Sequence, residues 1–231
     1  MKAALIIGVG SGLSASIARV LYARGLRLIL AARDTSDLAE LAQQTKAELV
    51  DCDASDPEDM RVLFETVDAQ ASPLSVAIYN PSARLRGPID TLDVDAVRDA
   101  LMVTAYGAFL MAHHAAPRML TNNEGTMLFT GASAGIKGFA NSAPFAMGKF
   151  ALRGLTQSLA RELHPKGIHV AHVAIDGGIA GTPQSGRSHT SDVPDDMLEP
   201  DAIAASYMHL IDQHRSAWSQ EMELRPLTEI F

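Results

Sequence analysis

Cysteine is almost absent from this sequence, since Cys52 is the only one in 231 residues. A single cysteine cannot form an intrachain disulfide, which fits a reducing compartment, and we expect the protein in the cytoplasm. Positive charge is also scarce, because 19 Lys and Arg stand against 27 Asp and Glu, for a formal net charge of -8. Binding of a phosphate backbone needs clustered Lys and Arg, so we expect no nucleic-acid partner.

Long apolar runs are missing as well. No uninterrupted apolar stretch approaches the ~18 residues that span a bilayer, so we expect a soluble protein with no membrane partner. The apolar run of residues 1–7 stops at Gly8, where the apolar core of a signal peptide would continue, and it predicts a buried first strand. A hydrophobic content of 47% is enough for one core, and no repeat or linker divides residues 1–231.

Short apolar runs alternate with helical patterns over most of the length. The runs lack polar alternation, as do strands that are buried on both faces of a parallel sheet. They predict strands at residues 3–8, 26–32, 47–50, 74–79, 126–130 and 168–175. Helical spacing between them indicates βαβ units, and hence a single-domain α/β fold with a doubly wound parallel sheet.

Two helical patterns, at residues 94–120 and 152–163, are apolar around much of their girth. Such helices either lie buried within one chain or pack against a second copy, and the pattern leaves both interpretations open. Pro117 is expected to kink or shorten the first of them. Residues 182–199 are rich in Ser, Gly, Pro and Asp, which predicts a mobile loop over the substrate site.

A glycine-rich turn joins the predicted first strand to the first helix. Backbone N–H groups at such a junction bind a pyrophosphate, and glycine lets the ligand approach closely. The same turn also needs glycine for purely steric reasons, so this motif alone leaves a structural role open. The candidate cofactor contacts in the turn are Gly8, Gly10, Ser11, Gly12 and Leu13.

The segment Ala143-Pro144-Phe145-Ala146-Met147-Gly148-Lys149, together with this turn, resembles the short-chain dehydrogenase/reductase family. The resemblance covers roughly residues 1–182. It implies a Rossmann fold, a nicotinamide cofactor, a small-molecule substrate and a homodimer or homotetramer. The family's Tyr-x-x-x-Lys pair here reads Phe145-x-x-x-Lys149, so the resemblance implies that Lys149 holds the nicotinamide ribose while Phe145 marks the position of the missing tyrosine.

Two further catalytic positions of the family are also altered. The catalytic serine lies thirteen residues ahead of the tyrosine, which here gives Ala132. Ser133 is one place off and is the candidate substitute, although a loop serine beside glycine can be structural. Thr104 stands where the family has a catalytic asparagine, and a threonine lacks the paired donor and acceptor of the amide.

Arg33, after the second strand, favours NADP over NAD, because the resemblance implies that an arginine there pairs with the 2'-phosphate. The adjacent Asp34 leaves an exposed Arg–Asp pair as the alternative. Asp53 matches the aspartate that family members use beside adenine. The alternative role, a helix N-cap before Pro57, suits Ser55 or Asp56 better.

The remaining cofactor positions follow the fourth and sixth strands. Asn80 matches the asparagine of the family's Asn-Ala-Gly turn. Gly177 and Ile179 match a turn that touches nicotinamide, in which Asp176 replaces a proline, and Thr182 is a weaker match. His113 and His114 diverge on a helix, as do two later histidines on a strand, so no metal site is predicted.

The sequence therefore predicts an NADP-dependent oxidoreductase with a non-standard proton-donor site, acting on an activated double bond or a carbonyl. The alternative is a non-catalytic NADP-binding sensor or scaffold protein, because three catalytic positions are altered.

Overall fold

A seven-stranded parallel sheet forms the centre of the computed structural model, which describes residues 1–181 and 195–229. The strand order is β3-β2-β1-β4-β5-β6-β7, and every neighbouring pair is parallel. The strands are β1 (Ala3–Ile7), β2 (Arg27–Ala32), β3 (Glu48–Asp51), β4 (Leu74–Tyr79), β5 (Gly125–Thr130), β6 (Ile168–Ile175) and β7 (Glu221–Leu224). This order confirms the predicted doubly wound α/β fold.

Helices cover both faces of the sheet. They are α1 (Leu13–Ala23), α2 (Ala39–Thr45), α3 (Pro57–Ala69), α4 (Val94–Leu101), α5 (Gly107–Leu120), α6 (Ala143–Leu163) and α7 (Pro200–Asp212). The strand order reverses between β1 and β4, and in such sheets ligands bind in the crevice at the carboxyl ends of the strands. The first βαβ unit, in which the glycine turn joins β1 to α1, therefore places this turn at the mouth of the crevice.

The sheet separates two apolar cores. Leu5, Phe64 and Phe129 belong to the core under α3, α5 and α6. Ile6 and Leu30 belong to the other core, under α1, α2 and α7. Because successive residues of a strand face opposite sides, a strand covered on both faces needs apolar residues throughout, which explains the continuous apolar runs of the sequence.

Strand β7 is the strand of this sheet that the sequence analysis did not predict. It is short, it alternates Glu221 and Glu223 with apolar residues, and it pairs with β6 at the edge of the sheet. Its parallel pairing with β6 depends on a contact that is distant in sequence, so no local pattern predicts it.

The predicted helix of residues 94–120 forms as α4, a π-helical segment (Met102–Tyr106) and α5. Pro117 lies inside α5 and does not end it, since the helix continues to Leu120. Directly after the π-helical segment, Gly107 lies against the loop before α3, where a Cβ would be 2.3 Å from the Ala54 carbonyl oxygen. The Tyr79 hydroxyl donates to the Val103 carbonyl within the same segment.

Most of the predicted loop at residues 182–199 lies outside the described residues, as does Thr182. Its last part is described and is tied to the sheet edge, because Leu198 pairs with Ile179 and its amide donates to the Gly178 carbonyl at 2.8 Å. Across residues 1–181 and 195–229, none of the helices combines the length and apolar character needed to cross a membrane.

Gly8 and Gly10 offer a matched test of the turn. Gly8 has φ +80°, and a Cβ there would lie 2.6 Å from the Pro81 nitrogen, whereas a Cβ at Gly10 would meet nothing within 4 Å. We expect Gly8→Ala to lower the free energy of unfolding by about 2–4 kcal/mol, and Gly10→Ala to change it by less than about 0.5 kcal/mol. Urea unfolding measures both, and equal losses in the two variants would contradict the assigned turn geometry.

Candidate active site

The carboxyl edge of the sheet brings the glycine turn together with Asn80, the residue that follows β4. The Asn80 amide Nδ2 donates to the Gly8 carbonyl at 3.3 Å and to the Ser14 hydroxyl at 2.7 Å. Ser14 in turn donates to the same Gly8 carbonyl at 3.0 Å. Ser14 occupies a position where the resembling family has glycine, and here its hydroxyl joins the turn to β4. The Asn80 side chain is therefore committed to holding the turn.

The amino end of α1 points into this crevice without a side-chain cap. Gly12 is the N-cap residue, no side chain hydrogen bonds to the first amides of α1, and the first turn contains no acidic residue. Ser11 is exposed, while Leu13 is buried against the core. Uncapped N–H groups and the positive end of the helix dipole favour an anion. With the open space above Gly10, this arrangement fits a pyrophosphate group.

Arg33 and Asp34 follow β2 and are both exposed. Asp34 accepts a hydrogen bond from the Ser36 amide at 2.9 Å, and hydrogen bonds from the Ser36 side chain and amide hold its pKa below the ordinary value. Within the described ranges no ion pair joins Arg33 to Asp34. The Asp34 carboxylate is thus hydrogen bonded within its own turn, and in the described part of the chain it forms no ion pair with the Arg33 guanidinium.

Asp53 lies near Arg33 at the next strand end. Its Oδ1 accepts from the Ser55 hydroxyl at 2.6 Å and from the Ser55 amide at 2.9 Å. These hydrogen bonds, with a smaller contribution from the charge of Arg33, lower the pKa of Asp53. The N-cap of α3 is Asp56, whose carboxylate accepts from the Glu58 and Asp59 amides. Asp53 therefore does not serve as that cap.

Lys149 is the buried cation of this edge. Only 2% of its surface is exposed, and its Nζ donates to the Thr130 carbonyl at 2.8 Å. Burial lowers the pKa of Lys149 to about 7. A lysine whose pKa is lowered in this way suits a group that gives or takes a proton.

Phe145 lies one helical turn before Lys149, in the first turn of α6. The centre of its ring is 5.9 Å from Lys149 Nζ and 5.6 Å from Arg84 Cζ. Both distances fall within the range of cation–π interactions. A half-buried aromatic ring, which has no proton to donate, thus lies beside the two cations.

Thr104, at the centre of the π-helical segment, is only 1% exposed. Its Oγ1 accepts a hydrogen bond from the Ala83 amide at 3.2 Å. It also packs against α6, since a Cβ at Gly148 would lie 3.0 Å from the Thr104 Cβ. The hydroxyl therefore ties the loop after β4 to the helix layer.

Ser133 opens a 3-10 turn (Ser133–Gly135) directly after Ala132, whose backbone is extended. Gly135 brings this turn against α6, because a Cβ there would lie 2.9 Å from the Lys149 carbonyl oxygen. Ser133 is half-buried, and its hydroxyl makes no hydrogen bond to any other described residue. The turn is thus close to α6, with one hydroxyl available.

Residues 2–190 match the family profile described as short chain dehydrogenase. The chain belongs to the short-chain dehydrogenase family. An uncharacterized oxidoreductase of Staphylococcus saprophyticus is 27% identical over 232 residues, which cover 98% of this chain and 97% of the relative.

Solved structures agree with this membership. A short-chain dehydrogenase from Rhodopseudomonas palustris is 32% identical with a TM-score of 0.83, and the match covers 97% of this chain and 98% of that one. A metagenomic short-chain oxidoreductase, solved in complex with NADP, is 26% identical with a TM-score of 0.84, and the match covers 97% of both chains. This short-chain dehydrogenase therefore has the oxidoreductase fold over essentially its whole length.

The turn after β6 is where this short-chain dehydrogenase connects to its tail. Gly177 has φ +147°, and a Cβ there would lie 2.7 Å from Pro226 Cδ. Asp176 is buried, and its Oδ2 lies 3.6 Å from a guanidinium nitrogen of Arg225. Ile179 forms the bridge to Leu198. The predicted nicotinamide turn is thus held by residues from the tail.

The sequence analysis missed several residues of this edge. Arg84 gave no signal, because it stands at no family motif position, and Ser14 was noticed only as a serine at the third glycine position of the turn motif, without its hydrogen bond to Asn80. A cluster of the buried His172 with the partly exposed Glu221 and Arg153 was missed because β7 was missed.

A second cleft, of about 570 Å³, lies at the opposite edge of the sheet, where β6 begins. It is lined by residues such as His164, Arg215 and Trp218, and by none of the predicted site residues. Across the described residues, no three His, Cys, Asp or Glu side chains are grouped as a metal site would require. This second cleft therefore contains none of the residues that the sequence analysis predicted as site residues.

Proposed function

We propose that this chain is an NADP-dependent oxidoreductase with a non-standard proton-donor site, acting on an activated double bond or a carbonyl. The observation that carries the proposal is the buried Lys149 beside the Phe145 ring, at the same sheet edge as the open glycine turn. When bound, NADPH supplies the hydride. The NADP complex of the 26% identical oxidoreductase supports the choice of cofactor.

The residues present fit a dinucleotide, because the uncapped end of α1 and the space above Gly10 suit a pyrophosphate. Arg33 would pair with a 2'-phosphate, and Asp53 would lie beside adenine. Lys149 would hold the nicotinamide ribose. The full set proposed to hold the cofactor is Gly8, Gly10, Ser11, Gly12, Leu13, Arg33, Asp53, Asn80, Lys149, Gly177 and Ile179.

Proton transfer is the step for which this chain differs from its family. Phe145 has no proton to give, and loss of a positioned general acid costs about 10²- to 10⁴-fold in rate at a carbonyl. Reduction of an activated carbon–carbon double bond tolerates that loss better, because the proton goes to carbon and can come from water or another residue. Lys149, with its pKa lowered to about 7, is the nearest group on this edge that can carry one. Ser133, as the substitute for the catalytic serine, and Thr104, at the position of the catalytic asparagine, are the further catalytic candidates.

A non-catalytic NADP-binding sensor or scaffold is the second candidate. One observation favours it: the Thr104 hydroxyl, at the position of the family's catalytic asparagine, is bound to the Ala83 amide. A protein of this kind would bind NADPH and oxidise it with no ketone, aldehyde or enoyl thioester.

Cofactor preference tests the role of Arg33. We expect NADPH to bind at least about ten times more tightly than NADH, a difference of about 1.4 kcal/mol. Arg33→Asp should abolish or invert this preference, because it replaces the partner of the 2'-phosphate with a like charge. Fluorescence titration measures both affinities, with Arg98→Asp, an exposed arginine of α4, as the control. Equal affinities in the unmodified protein would refute the assignment of Arg33.

Restoring the missing hydroxyls tests the proton-donor site. We expect the double variant Ala132→Ser with Phe145→Tyr to raise NADPH-dependent ketone reduction by about one to three orders of magnitude. Each single change should give less, because the two hydroxyls act as a unit. Phe150→Tyr adds the same hydroxyl on the exposed side of α6 and should have no effect. The assay is NADPH oxidation with ketones, aldehydes and enoyl thioesters. No turnover in any variant that still binds NADPH would favour the sensor or scaffold.

We further propose a homodimer or homotetramer formed through α5 and α6. Phe109, Met147 and Phe150 on these helices are 46%, 51% and 45% exposed, which is unusual for large apolar side chains in one region. We expect Phe150→Glu to reduce the sedimentation mass toward that of a monomer. Val62→Glu, at a position on α3 that is 43% exposed, should not. A monomeric unmodified protein would exclude this assembly.

A further inference from the structure

His172 on β6 is completely buried and is held by a carboxylate from β7. Its Nδ1 lies 3.1 Å from Glu221 Oε2. Arg153 of α6 binds the same carboxylate through two hydrogen bonds, each 2.7 Å long. Arg153 thus fixes the orientation of the Glu221 carboxylate, and the carboxylate fixes the orientation of the His172 ring. A carboxylate at Nδ1 selects the tautomer with its proton on that nitrogen.

The other ring nitrogen of His172 has no partner. Nε2 is buried, and no hydrogen bond reaches it from any described residue. A buried polar atom without a partner is costly, so such atoms are uncommon in native structures. The ring fits only because residue 131 is glycine, since a Cβ there would lie 2.1 Å from Nε2. The structure thus keeps a buried lone pair beside the carboxyl end of β5.

Lys149 contacts the peptide group between Thr130 and Gly131, beside which the His172 ring lies. Its Nζ donates to the carbonyl of Thr130, which is bonded to Gly131, and Nε2 of His172 lies against the α-carbon of Gly131. The charged groups that face His172 are Lys149 and Arg153 from α6 and Glu221 from β7, and Glu223 acts on Arg153. Burial, with smaller contributions from Lys149 and Arg153, lowers the pKa of His172 despite Glu221. The imidazole is therefore neutral, and Nε2 is an acceptor.

Lys149 needs such an acceptor. Its ammonium carries three protons and is almost fully buried, and within the described residues no carboxylate forms an ion pair with it. An imidazole polarised by a carboxylate is a stronger acceptor than an isolated one, because hydrogen bonds in a chain strengthen one another.

We propose that His172 and Glu221 are positioning residues that keep Lys149 protonated: Nε2 of His172 accepts a hydrogen bond from the Lys149 ammonium as it leaves the Thr130 carbonyl. Glu221 polarises the ring from Nδ1, and Arg153 holds Glu221 in place. No covalent bond changes, and the proton stays on Lys149 until it is used. The inference rests on the proposed function only in that Lys149 serves the reacting site.

The test is the titration of Lys149 in the full chain without cofactor, followed by NMR of lysine ¹⁵Nζ. The Lys149 signal among the five lysines is identified by its loss in Lys149→Met. We expect His172→Phe, which keeps a ring but removes the acceptor, to lower the Lys149 midpoint by about one to two pH units. His172→Gln, which restores an acceptor, should recover most of the shift. His169→Phe, at a buried histidine on the other face of β6, is the matched control and should leave the midpoint in place.

Glu221→Gln keeps the test decisive if His172→Phe does not fold. Glu221 is partly exposed, so this variant retains the packing of the core, and we expect it to lower the midpoint in the same direction. An unchanged midpoint in folded His172→Phe, or in Glu221→Gln where the former does not fold, would overturn the inference. NADPH titration of the same samples separates the two proposals: absence of binding removes the proposed function, while the Lys149 midpoint still decides the role of His172.

Discussion

Covering a parallel sheet on both faces is the constraint on which the rest of this structure depends. The inner strands must therefore be largely apolar, so most of the polar side chains of the candidate site lie at the strand ends. The reversal of strand order between β1 and β4 opens a crevice at the carboxyl ends, and there the glycine turn, Asn80 and Lys149 are found. The edge that holds the site is thus fixed by packing before any catalytic residue is considered.

The central feature of the candidate site is a buried cation, Lys149. Lys149 is buried, lies beside an aromatic ring, and has a backbone carbonyl as its hydrogen-bond partner. In this setting a small change in its surroundings shifts the balance between ammonium and amine near neutral pH.

Much of the fold followed from local patterns, because the five inner strands are largely apolar runs and the glycine turn follows the first of them in sequence. The family was also predicted from the turn and from Lys149. The parts that could not be predicted depend on contacts between distant segments: β7 pairs with β6 across the edge, Ser14 reaches Asn80, and Glu221 reaches His172. The cofactor preference and the roles of Ser133 and Thr104 stay predictions, since they depend on a bound ligand.

Residues 221–226, which are synthesised after all the residues proposed for the candidate site, complete the surroundings of that site. They supply the carboxylate for His172, the guanidinium beside Asp176 and the proline against Gly177. During synthesis, a nascent chain that has already released its glycine turn and α6 from the ribosome still lacks all three supports. The sheet can begin to assemble early, but the neighbourhood of its buried cation is completed only after this late segment has been made.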